Sequence, residues 1–208
     1  KNSPVGAGLG GGSADAAYTL TMLNDICSLG LSTEQLAGYA ARLGSDCAFF
    51  IFGRPMFGEG RGEVLTPFEL PVDIVDAGGA ACSGSRTGSS DGGNDSSGTG
   101  TARPCTREHP EKDRPQYELQ IVIPEGISVS TAEAYRGITP AIPEMRLKDV
   151  LARPVSEWKD LLVNDFEATV FKAHPELAAI KQSLYDSGAI YASMSGSGSA
   201  LFALYERR

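Results

Sequence analysis

Apolar positions recur at helical spacing over residues 13–28, where Ala16, Ala17, Leu20, Leu23 and Cys27 fall on one side of a helix. Ser13 is placed to cap its start and Gly30 to end it. The stretch "LSTEQLAGYAARLG" (31–44) predicts a second helix. Ser32 or Thr33 caps it, Glu34 and Gln35 occupy its first turn, and Leu36, Tyr39, Ala40 and Leu43 share a face before Gly44 stops it. The pattern then changes. Over residues 48–70, aromatic and β-branched runs broken by glycines and Pro55 read as short strands, and residues 71–77 as another. Residues 117–126 read as a strand, 130–138 as a short helix capped by Ser130 or Thr131, and 145–151 as a further helix. Residues 155–174 are mostly helical, with Trp158, Leu161, Leu162 and Phe166 placed to pack. Pro175 opens another helix, which Gly188 stops, and two final strands (189–194 and 199–205) flank "SGSG". Helices and strands mix without strict alternation, so the predicted class is α+β.

Residues 78–116 follow none of these patterns. They consist of Gly, Ser, Thr, Pro and charged residues with almost nothing to bury, and read as a flexible insertion or a domain linker. The rest of the 208-residue chain is ordinary for a globular protein, with 41% hydrophobic and 21% charged residues. A net charge of −8 argues against nucleic acid or an anionic membrane surface as partner. No apolar run approaches the ~20 residues of a membrane span. Cys27, Cys47, Cys82 and Cys105 form no close pair, and they read as small buried or incidental thiols in a reducing, cytoplasmic compartment.

The candidate chemistry lies in "PVGAGLGGGSADAA" (4–17), which carries Gly6, Gly8, Gly10, Gly11 and Gly12. So dense a cluster is a linker or a backbone that must approach something closely. Gly6, Gly8 and Gly11 match the dinucleotide pattern G-x-G-x-x-G, but the acidic residue that pattern wants after a second strand is represented only by Asp25, inside the predicted helix. A Walker loop needs a lysine after the glycines, and here Gly12 precedes Ser13. What remains is a glycine loop opening a helix, where backbone N–H groups and the helix dipole favour an anion such as a triphosphate. Ser13 can offer its hydroxyl to a phosphate or a metal-bound water. His109 lies in the insertion and His174 at a helix start, so a Ser-His-Asp hydrolase finds little support.

The stretch 4–17 resembles the second signature motif of the GHMP kinases (galactokinase, homoserine, mevalonate and phosphomevalonate kinases). Its P-x-G-x-G-L-G-G-G-S-x-D-A-A form is most similar to the branch acting on a cytidine diphosphate-linked methylerythritol. "LGSDCAFF" (43–50), "GEGRGEVLTP" (58–67), "NDFEATVF" (164–171) and "ASMSGSGSALFALY" (192–205) resemble further segments of that branch, the last being the third family motif. The resemblance implies the GHMP kinase fold: a ribosomal protein S5 domain 2-like N-terminal part (1–57) and an α/β C-terminal domain (58–208) carrying the insertion. It implies that Pro4, Val5, Gly6, Ala7, Gly8, Leu9, Gly10, Gly11, Gly12, Ser13 and Ala14 form the phosphate loop for ATP, with Ser13 toward Mg²⁺. Ser195, Gly196, Ser197 and Gly198 would form a second glycine loop packed near the first. Asp46 would take or orient the proton of the substrate's 2-hydroxyl, and Thr131 and Tyr135 would contact the cytidine portion. The implied partners are ATP and that small molecule, with no nucleic acid and no membrane. The rival expectations are another GHMP kinase with a different acceptor, or a nucleotide-binding protein without catalysis.

Three departures from the pattern qualify those expectations. The first family motif, a P-[AG]-K-[IL]-N-L stretch supplying a lysine beside the aspartate, is absent, and the glycine loop begins close to Lys1 where a strand should precede it. This predicts missing N-terminal strands and a chain that does not catalyse by itself. Ala48 stands where the family usually has Pro. The insertion interrupts a region the family runs through directly, which favours a surface loop over a linker.

Overall fold

The computed structural model describes residues 6–60, 62–76 and 116–207. Pro4, Val5, Cys82, Cys105, His109 and nearly all of the predicted insertion lie outside the described residues. The first helix, α1 (Gly11–Ile26), starts two residues earlier than its pattern suggests. Gly10, at φ 66°, turns the chain directly into the helix, so Ser13 is the third helical residue and not its cap. The second helix, α2 (Thr33–Ala41), begins as predicted: the Ser32 hydroxyl accepts from Gln35 N–H and the Gln35 side chain accepts from Ser32 N–H. Its buried face is Leu36, Ala37 and Ala40, whereas Tyr39 and Leu43 are exposed. Small residues decide this, because α2 meets its neighbour through Ala37, Ala40, Cys47 and Ala48. That neighbour, α3 (Cys47–Phe52), corrects the strand predicted there. Burial of Cys47 and Ala48, with Ile51 and Phe52 one turn on, imposes a helical period on an aromatic run of strand-like propensity. Gly53, at φ 57°, ends it.

Strands β1 (Met56–Glu59) and β2 (Val64–Pro67) form an antiparallel hairpin, and the 57/58 division falls inside β1. A second sheet is built from β3 (Asp73–Asp76), β4 (Gln116–Val122), β5 (Tyr191–Met194) and β6 (Leu201–Glu206), in the order β3-β4-β6-β5. Strands β3 and β4 pair in parallel, so the two ends of the predicted insertion belong to one sheet. The helices between β4 and β5 are α4 (Thr131–Arg136), α5 (Leu147–Leu151), α6 (Val155–Leu161), α7 (Glu167–Ala173) and α8 (Pro175–Asp186). The helical run expected over 155–174 is therefore two helices, interrupted where the Phe166 N–H donates to the Asn164 side chain.

Alternation along β5 and β6 gives the sheet two buried faces. Ala192, Met194, Leu201 and Ala203 pack with Val170, Leu177 and Leu184 of α7 and α8. Tyr191 and Leu204 pack on the other side with Val150, Val155 and Trp158 of α5 and α6. Full burial of such side chains stabilises by about 1.5–3 kcal/mol each. This sandwich is the firm base from which the connection between β5 and β6 projects.

Candidate functional site

Residues 6–10 form a loop in which Gly6, Gly8 and Gly10 all have positive φ, at 79°, 74° and 66°. Gly8 is at the closest approach: a Cβ there would lie 2.1 Å from the Ser195 carbonyl oxygen and 2.8 Å from that of Gly198. No side chain larger than hydrogen fits without moving one backbone off the other. At Gly10 a Cβ would meet the Phe50 ring at 2.8 Å, so α3 buttresses the loop just where it enters α1. No side chain caps the first turn of α1, and Gly12 there is exposed with open space around its Cα. The result is a helix N-terminus whose N–H groups, backed by the macrodipole, face outward from a glycine surface.

The second glycine loop, Ser195–Gly198, joins β5 to β6 and docks on the first. The Ser195 hydroxyl donates to the Gly8 carbonyl at 2.8 Å, and Ala200 N–H donates to the Ala7 carbonyl at 3.0 Å. Within the loop Ser195 N–H donates to the Ala200 carbonyl and Gly198 N–H to the Ser195 carbonyl. Ser199, fully buried, anchors the exit by donating to the Ile127 carbonyl at 2.8 Å. Gly6 and Ala7 also line a cleft of about 410 Å³, together with Ile123, Pro124, Ile127 and Ser128.

Asp46 is exposed at the N-terminus of α3, one turn before Phe50, and its carboxylate accepts from the Ser45 hydroxyl at 3.3 Å. Ala48 occupies the second position of α3, where a proline is equally compatible with helix geometry. Thr131 opens α4 and its hydroxyl shares a 3.3 Å hydrogen bond with that of Ser197. Tyr135, one turn later, is 65% exposed and stands edge-on to Phe166 with ring centroids 4.9 Å apart. It is a surface ring, not a core one. Among the described residues, no three His, Cys, Asp or Glu side chains converge on a metal position.

The N-terminal residues 1–54 match the GHMP kinases N terminal domain, and residues 147–208 match the GHMP kinases C terminal domain. The chain belongs to the GHMP kinase family. It is 41% identical over 207 residues to a 4-diphosphocytidyl-2-C-methyl-D-erythritol kinase of Parabacteroides distasonis, covering 100% of this chain and 60% of that protein. It is 41% identical over 206 residues to the enzyme of the same name from Bacteroides thetaiotaomicron, covering 99% of this chain and 60% of that one. The chain thus spans about 60% of the length of these curated relatives. A crystal structure of 4-(cytidine 5'-diphospho)-2C-methyl-D-erythritol kinase matches with a TM-score of 0.66 and 27% identity, over 98% of this chain and 59% of that one. No helix among the described residues is long and apolar enough to cross a membrane.

Within this GHMP kinase chain, Gly6–Gly10 and Ser195–Gly198 are in direct contact, Thr131 touches the second loop, and Asp46 immediately precedes α3, which carries the residue that supports the first. Tyr135 lies on α4 one turn from Thr131 and stands against Phe166. Three contributors were not among the expected site residues although each lies in a segment that resembles the family: Phe50 beneath Gly10, and Asn164 and Glu167 beneath the second loop. Asn164 donates to the Met194 and Gly196 carbonyls. The buried Glu167 accepts from Met194 N–H and the Ser193 hydroxyl and pairs with Lys181 at 2.6 Å. Tyr185 also meets β5, its hydroxyl donating to the Ala192 carbonyl, and burial raises its pKa.

Proposed function

We propose that this chain carries the nucleotide-phosphate site and the catalytic aspartate of an ATP-dependent kinase. Its reaction moves the ATP γ-phosphate to the 2-hydroxyl of 4-diphosphocytidyl-2-C-methyl-D-erythritol, a step in isoprenoid precursor synthesis carried out in the cytoplasm. The observation that carries the reading is the docking of two glycine loops, through Gly8, Ser195 and Gly196, at the uncapped start of α1. Family membership and the names of the relatives support the substrate.

In this reading Gly6 to Ala14 present backbone N–H groups to the phosphates, and the dipole of α1 favours their charge. Pro4 and Val5 would extend that loop. The second loop fixes the first and limits how far water enters. Phosphoryl transfer depends mainly on positioning and charge stabilisation, to which Asp46 adds the proton acceptor for the acceptor hydroxyl. Asp46 suits that role because it is exposed and its Oδ1 already accepts a hydrogen bond. Mg²⁺ supplies neutralisation of phosphate charge when bound. It would be held by the phosphates, water and the Ser13 hydroxyl, the sparse protein ligation this ion ordinarily takes. Thr131 and the open Tyr135 ring would receive the cytidine portion, since exposed aromatic faces stack on bases.

The test is ADP formation by the full-length chain with ATP, Mg²⁺ and this substrate. Turnover inhibited competitively by cytidine nucleotides is expected. ATP binding without phosphorylated product from this substrate would overturn the assignment, and turnover insensitive to cytidine nucleotides would point to another acceptor.

A further inference from the structure

Among the described residues, strand β5 is at the edge of its sheet, with β6 as its single strand partner. An edge strand presents unpaired backbone groups, and proteins manage such edges in several ways. Here three side chains bond to the strand and continue into the glycine loop. The Tyr185 hydroxyl bonds to both N–H and carbonyl of Ala192 at 3.1 Å. Glu167 accepts from Met194 N–H at 2.8 Å. Asn164 Nδ2 donates to the Met194 and Gly196 carbonyls, each at 2.8 Å. The last two contacts lie at the entrance to the loop and within it.

We propose that Asn164 and Glu167 are positioning residues that set the second glycine loop against the first and so fix the geometry of the nucleotide-phosphate site. The inference rests on the nucleotide reading for its ligand but on these bonds alone for its mechanism. Asn164 suits the task chemically. Its amide supplies two donors for two carbonyls, while its oxygen accepts from Phe166 N–H at 3.0 Å. A carboxylate of the same shape would keep the Phe166 bond but set an oxygen against two carbonyl oxygens. Glu167 holds the preceding residue: one oxygen takes Met194 N–H and the Ser193 hydroxyl, the other takes the Lys181 ammonium. Its side chain is only 9% exposed, so the ion pair and the backbone bond fix one conformation. From there the constraint passes through Gly196 to Gly8, where a Cβ on Gly196 would stand 3.2 Å from the Gly8 carbonyl, and through the Ser195 hydroxyl to the same carbonyl.

The experiment combines amide hydrogen exchange with ATP–Mg²⁺ titration on the full-length chain, comparing wild type with Asn164→Asp. Exchange at Ser195, Gly198 and Ala200 is expected to rise at least tenfold, with strand amides such as Ala203 changed less than twofold. The ATP dissociation constant is expected to rise at least tenfold. Loop exchange and affinity both within twofold of wild type would overturn the proposal. So would exchange raised equally in β5 and β6, which marks a purely structural role. Should Asn164→Asp fail to fold, Asn164→Ala is measured against the same limits. Glu167→Gln retains an oxygen acceptor and should recover most of the loop protection that Glu167→Ala loses; equal loss in both would overturn the role of Glu167. A wild-type chain that binds no ATP refutes the nucleotide reading, while the exchange measurements still decide the positioning role.

Discussion

The glycine loop at residues 6–10 opens into a helix of 16 residues, whereas the loop at 195–198 joins two antiparallel strands. The first is shaped from within, by three positive-φ glycines and an uncapped helix start. The second also has glycines at positive φ, Gly196 and Gly198, but is gripped from outside by Asn164 and from its strand by Glu167. Two loops of similar composition therefore differ in what they require. The first needs space and dipole; the second needs partners. In the proposed reading, the first would receive the phosphates and the second would hold it still.

The largest expected effect comes from closing the gap between them. In Gly8→Val the new side chain collides with the Ser195 carbonyl, and positive φ adds strain. ATP titration should show affinity lost by more than about a hundredfold, a cost of about 3 kcal/mol. Wild-type affinity in this variant would refute the docking as a functional contact.

Asp46→Ala separates chemistry from binding. Turnover should fall about 10²–10⁴-fold while ATP affinity stays within about twofold, because the role proposed for Asp46 is on the acceptor hydroxyl and its carboxylate bonds to Ser45 rather than to either glycine loop. Steady-state kinetics beside a binding titration read the two quantities separately.

The strand that feeds the second loop adds a pH dependence. Burial pushes the Tyr191 phenol up to about 12, and its hydroxyl donates to the Leu162 carbonyl. The folded state therefore holds this proton more tightly than the unfolded chain, whose tyrosine titrates near 10. The stabilisation is intact below pH ~10 and falls as pH rises toward ~12, by up to about 2–3 kcal/mol. Urea unfolding of Tyr191→Phe between those pH values should lack this part of the decline.

Smaller changes probe each loop separately. Ser195→Ala removes one bond between the loops and should cost about 1 kcal/mol in stability, read from the urea midpoint. Gly12→Ala places a methyl in open space inside α1, and should stabilise by up to ~1 kcal/mol. A loss of stability there would mean that the first turn of α1 is more crowded than its surroundings indicate.

What could be read along the chain was local. The Ser32–Gln35 capping box, Pro175 at the start of α8 and the strands around "SGSG" each depend on residues a few positions apart. The aromatic run at 48–52 misled because its helix is imposed by Ala37 and Ala40 on another element. Tyr39 and Leu43 misled for the same reason: α2 turns toward small neighbours and leaves the larger residues outside. Asn164 and Glu167 were part of a recognisable stretch, but their contacts span 26 to 32 residues, and no periodicity records contacts at that range.

The sequence by itself determined that a glycine loop would open a helix, since glycine takes such a backbone at no steric cost and a helix pattern follows it. It also determined that a second glycine loop would lie between two strands. The family resemblance already implied that the two loops pack together, but that the contact falls between Gly8 and Ser195, 187 residues apart, was decided by the tertiary structure. So was the grip of Asn164 on Gly196. Hydrogen bonds of this kind form only after the sheet and its helices have buried their apolar faces, because folding must first bring distant groups within 3 Å of each other.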